Sequence, residues 1–162
     1  MRMDDHVWRQ HCNPLSGWSR MTVLPLIALA VWSRVWLGWW ALPLVLAVLV
    51  WTWWNPRAFP PPARFDSWMT RGIMGERIFL TERAQLAAHH QRAAVVLGWL
   101  SLPGAVLMVW GLWTLWWEAA VFGTALCLMP KLWFLDRMAW IYQDWTQAGR
   151  QVPGLGQGAE HV

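Results

Sequence analysis

The chain has 162 residues, a single domain's worth, yet 57% are hydrophobic and 18 are Trp against one Tyr, which excludes an ordinary soluble core. Its formal net charge of +4 comes from twelve Arg and one Lys against nine acids. Arg alternates with Trp, Pro and acids beside apolar runs and forms no solvent-facing stripe, so nucleic acid is excluded as a partner. Uncharged runs at 35–56 and 93–117 reach the roughly 20 helical residues that cross a hydrocarbon layer about 30 Å thick. The predicted fold is therefore all-α, an integral membrane helical bundle with four transmembrane helices in two hairpins and an interfacial amphipathic segment. One domain is expected over 1–146, followed by a flexible tail over 147–162.

The opening residues carry both signs of charge and lack a short basic lead with a small-residue cleavage site, so no removable signal peptide is expected. HVWRQHCNPLSGWSR reads as an amphipathic arm ending at Asn13-Pro14, an N-cap followed by Pro at the first helical position, with His11, Cys12 and Asn13 at headgroup level. The first predicted span is 18–33, with Arg20 snorkelling to the headgroups; a shallow re-entrant segment is the alternative. Arg34 marks a tight outer turn before the second span, 35–54. A single helix over 21–54 would be about 51 Å long with Arg34 near its centre, which is too long and too costly. Pro25, Pro43 and Pro103 fall inside spans and predict kinks.

Asn55-Pro56-Arg57 ends the second span and Pro60-Pro61-Pro62 forms an extended step. The connection 55–92 is too long for a bare loop. Its stretch from Gly75 to Ala94 reads as one amphipathic helix entering the third span, with Phe79, Leu86 and His90 on one face and Glu82, Gln85 and His89 on another. The third span is 93–112, Glu118 marks the second outer turn, and the fourth span is 116–135, with Lys131 reaching the surface. Asp136, Trp140 and Asp144 align beyond it, and beyond Thr146 Gly and Pro predict disorder. Six Arg lie in 55–92 and one each of Arg34 and Glu118 in the turns, so the positive-inside bias puts both termini and 55–92 on the cytoplasmic side. Trp32, Trp36, Trp39 and Trp40, with Trp110, Trp113, Trp116 and Trp117, form belts around the outer turns.

The strings HCNPLSGWSR, ALAVWSRVWLGWW, WTWWNPRAFPPP, RGIMGERIFL, AAHHQRA and KLWFLDRMAWIYQD resemble an uncharacterised family of small bacterial multi-pass membrane proteins, a domain of unknown function. The resemblance covers 6–145. It implies a four-span protein of the bacterial inner membrane and carries no activity, substrate or cofactor.

His11, Asn13, Glu76, Arg77, Glu82, His89, His90, Asp136 and Arg137 form a candidate polar site on the cytoplasmic side. Within it, His11, Glu76, His89, His90 and Asp136 are candidate ligands for iron or zinc, since imidazole and carboxylate suit both. No HExxH or repeated ExxH supports that chemistry, and adjacent His89 and His90 should point about 100° apart on a helix. Arg57, Arg64, Arg71, Arg83 and Arg92 are candidates for binding anionic lipid headgroups. Cys12 and Cys127 are expected as free thiols. Arg34 and Glu118 are expected to pair across the hairpins, and Asp136–Arg137 to pair locally or with Arg20 or Glu76. GxSxG and phosphate-loop motifs are absent. Three readings stay open: a lipid-binding membrane protein, an accessory or assembly subunit acting with a membrane-protein partner or as a homo-oligomer, and an iron- or zinc-dependent enzyme acting on a lipid or quinone-like substrate.

Overall fold

The computed structural model describes residues 5–154, and all regular structure among the described residues is helical. The far part of the predicted tail, 155–162, lies outside them. α1 (Asp5–His11) and α2 (Pro14–Met21) meet at Asn13, whose side-chain oxygen accepts the Leu15 N–H at 2.9 Å. Pro14 takes the first helical position, where its missing N–H costs nothing, so the predicted cap is present. α3 (Val23–Trp32) follows after Thr22, then the single turn α4 (Arg34–Leu37), a 3-10 turn at Gly38–Trp40, and α5 (Ala41–Ala58). Gly38 has φ 55°, the conformation a side chain would oppose, and beyond it α5 packs back against α3. The break expected at Ser33–Arg34 is thus spread over 33–40, and the second apolar helix begins at Ala41 rather than at 35.

Pro25, Pro43 and Pro103 do not kink helix interiors. Each falls in the first turn of its helix, where backbone N–H groups have no intrahelical acceptor. The interior prolines are Pro56 and Pro130.

The connection contains α6 (Trp68–Thr81), capped by Ser67, whose Oγ accepts the Thr70 N–H at 3.1 Å. The single helix predicted over 75–94 does not form. Glu82 ends α6, a 3-10 turn covers Arg83–Gln85, and Leu86 and Ala87 are not helical before α7 (Ala88–Leu100) starts. α6 buries one face, with Met69, Ile73, Met74 and Ile78 packed against Leu135, Met138 and Ile141, while Trp68, Arg71 and Leu80 are exposed. α8 (Leu102–Thr114) continues α7 after Ser101, and Leu115, with φ 59°, turns the chain into α9 (Trp117–Gln147).

At 31 residues α9 is about 46 Å long and is the spine of the molecule. Its first half packs on α8 and its second on α6, with α7 alongside. Backbones touch at both contacts. A methyl group on Gly123 would overlap the Met108 backbone, and one on Gly75 would overlap the Met138 carbonyl. Three helical stretches are long and apolar enough to cross a membrane: Pro14–Ala58, which is divided into α2–α5, Ala88–Thr114 and Trp117–Gln147. Their large side chains are largely on the outside; Trp36, Trp39, Trp40 and Trp113 are all more than 70% exposed. The main buried cluster lies instead at the α6–α9 end. The first residues of the expected tail return onto it: Val152 is buried there, and Trp145 Nε1 donates to the Gln151 carbonyl at 2.9 Å.

Candidate functional site

Four elements bring a polar side chain each to one cavity of about 100 Å³: His11 from the end of α1, Arg20 from α2, Glu76 from α6 and Lys131 from α9. Arg20 Nη1 donates to His11 Nε2, which requires that ring nitrogen to be unprotonated. Burial, helped by the charge of Arg20, lowers the His11 pKa to about 3, so the imidazole is a neutral acceptor. Burial also raises the Glu76 carboxyl above its ordinary range, against the opposing pull of Arg20 and Lys131.

A buried network supports the cavity from behind. Ser16 Oγ lies 3.5 Å from His11 Nδ1 and donates to Asn55 Oδ1 at 3.0 Å, while Asn55 Nδ2 donates to Ser19 Oγ at 2.6 Å. Ser16, Ser19 and Arg20 share one face of α2 because residues three and four apart are neighbours on a helix. Asn13 Nδ2 donates to the Pro60 carbonyl at 2.9 Å, so both Asn-Pro sequences join the N-terminal arm to the end of α5. Thr70 Oγ1 donates to the Cys12 carbonyl at 2.9 Å and ties α6 to the same corner. Burial, against the nearby charge of Arg77, pushes the Cys12 thiol up to about 12, which disfavours the reactive thiolate. Cys12 and Cys127 are both free.

The polar residues singled out in the sequence do not converge. His11 and Glu76 line the cavity, whereas His89 and His90 lie at the start of α7 with Asp144 of α9, His90 Nε2 being 2.8 Å from Asp144 Oδ2. Their separation on a helix does not keep the two rings apart, because the His89 and His90 centroids are 4.0 Å from each other. Asp136 joins neither group; it accepts from Trp68 Nε1 at 3.2 Å and from Arg137 at 3.0 Å, the local pairing expected. Arg137 stacks over Trp140, Arg77 is buried beside the Trp8 ring, and Glu82 accepts from Gln85 at the end of α6. Arg57 lies over Trp53 and Arg83 over Phe79, while Arg64, Arg71 and Arg92 are exposed.

The pair expected between Arg34 and Glu118 is replaced by another link. Arg34 donates to the carbonyls of Leu112 and Trp113 at the end of α8, groups that have no intrahelical donor. The local signal for this corner in the sequence is the spacing of Ser16, Ser19 and Arg20, which places them on one face of a helix.

A family model described as a Family of unknown function (DUF6653) matches residues 1–159. The chain belongs to this family. Comparison with curated proteins and with solved structures gave no match. Membership of DUF6653 agrees with the resemblance read from the ordered motifs, and those motifs supply the cavity: HCNPLSGWSR brings His11 and Arg20, RGIMGERIFL brings Glu76, and KLWFLDRMAWIYQD brings Lys131.

Proposed function

We propose that this DUF6653 member is an integral membrane protein that crosses the bilayer four times and seats the phosphate of an anionic lipid at the Arg20–Lys131 cavity. The observation that carries the reading is a seam shared by α2–α3 and α9. Arg20 and Lys131 stand at one end of it, and an apolar groove of about 500 Å³ lined by Pro25, Leu29, Trp32, Ala125 and Leu128 continues along it. Leu128 is one helical turn from Lys131, and Pro25 is little more than one turn from Arg20. A headgroup phosphate at the cations thus leaves its acyl chain running into the groove.

His11 orients the guanidinium of Arg20 without competing for the anion, because it is neutral. Burial raises the Glu76 carboxyl, which lessens its tendency to carry a charge that would repel a phosphate. The four crossings are α2–α3, α5, α7–α8 and the first half of α9. The contact of α3 with α5, the exposed Trp residues and the Arg-rich connection support this topology, with both termini and 55–92 on the cytoplasmic side of a bacterial inner membrane. An accessory-subunit role uses the same apolar surface but leaves the cavity without a purpose.

The test is native mass spectrometry of protein reconstituted with equal phosphatidylglycerol and phosphatidylcholine and released gently. Wild type should retain phosphatidylglycerol selectively, and Arg20→Gln with Lys131→Gln should lower that retention about a hundredfold or more, the scale of two charge-assisted hydrogen bonds. Equal retention of both lipids, or a folded double variant that keeps the anionic lipid, would overturn the reading.

A further inference from the structure

We infer that His89, His90 and Asp144 form a binding site for a divalent transition-metal ion, separate from the Arg20–Lys131 cavity. One ligand atom from each of the three lies within 4.8 Å of the others. The donors come from two elements, the first turn of α7 and the last two turns of α9, which are held together by the burial of His90, Ala94 and Ile141. His90 is 4% exposed and supplies a fixed anchor, while His89 and Asp144 are exposed and able to adjust. Ligand atoms bound tetrahedrally at about 2.0–2.1 Å from zinc sit roughly 3.3–3.4 Å apart, so closure requires a shift of about an ångström in the two mobile side chains.

The chemistry selects the ion. Two imidazoles and one carboxylate suit zinc and its first-row neighbours, whereas magnesium and calcium take oxygen donors. Metal binding takes the imidazoles in their unprotonated form. A cavity of about 170 Å³ beside His90 and Asp144 leaves the remaining coordination position open to water or a small anion. Arg150, the cation on its wall, lies over the Trp145 ring at 4.7 Å and donates to Gln85 Oε1 at 3.3 Å. His90 Nε2 now faces Asp144 Oδ2, and an ion entering between them takes the place of that hydrogen bond after the ring proton moves to Nδ1.

The experiment is a titration of untagged, detergent-solubilised protein with Co²⁺, followed by visible absorption, and with Zn²⁺, followed by calorimetry. One ion per chain is expected. His89→Ala and Asp144→Asn, both at exposed positions, should each weaken it more than about tenfold, at least what loss of an outer-shell partner costs. Asp136→Asn should bind as wild type does. Absence of stoichiometric binding, or unchanged affinity in folded His89→Ala and Asp144→Asn proteins, would show that His90 and Asp144 serve only to tie α7 to α9. Neither result bears on lipid retention, so the two sites are tested independently.

Discussion

At His11 burial outweighs every other influence on the imidazole, and its consequence appears in the pH dependence of stability. The folded ring titrates at about 3 and the unfolded ring at the ordinary 6.5, so between those values the unfolded chain binds the extra proton. The contribution of His11 to stability is therefore lost as pH drops from 6.5 toward 3. Glu76 acts in the opposite sense, since its raised pKa lets the folded state hold a proton that the unfolded state has released. The two are separable by His11→Gln: unfolding midpoints in detergent at several pH values should fall less steeply on acidification than those of wild type, and identical slopes would rule out His11 as the source. Among these polar residues the Asn13 cap was legible because capping is local chemistry, read from two adjacent residues. The partnership of Ser16 and Asn55 was not, because a bond between residues 39 positions apart depends on how α2 lies against α5.

At the level of elements, the helix boundaries follow local signals wherever a proline or a left-handed residue sets them. Pro25 and Pro103 open helices, and Gly38 and Leu115 end them. The periodic stretch from Gly75 to Ala94 misled because its apolar residues do face one cluster, with Phe79 and Leu86 packed on the core and His90 buried beside them. That cluster is reached from two helices separated by a turn. The link between the two halves at the far end depends on Arg34, whose guanidinium satisfies carbonyls that end α8. Arg34→Gln should lower the stability of the solubilised protein by about 1.5 kcal/mol, the lower end for a charged hydrogen bond because the group is only half-buried. Glu118→Ala should leave the thermal midpoint unchanged, and an equal loss in both variants would restore the ion pair expected from the sequence.

For the whole molecule, the distribution of apolar surface is inverted relative to a soluble bundle. The buried cluster gathers under α6 and the end of α9, while the apolar stretches carry their Trp and Leu side chains outward. The all-helical class and the location of those stretches were legible because composition and run length determine both. The assembly of the cavity was not, since Arg20 and Lys131 are 111 residues apart and meet only because α9 runs past α2 and α6. The proposed four crossings agree with this assembly: α1 and α6 both reach the cavity, as two crossings between them would allow. A single crossing by Pro14–Ala58 would put His11 and Glu76 on opposite faces. The decisive measurement is labelling with a membrane-impermeant maleimide of single-cysteine proteins at Trp39, Ala63 and Ala148, in a Cys12→Ala, Cys127→Ala background. Four crossings predict that Trp39→Cys reacts from outside intact cells while Ala63→Cys and Ala148→Cys react only after permeabilisation; outside labelling of Ala63→Cys would contradict the account.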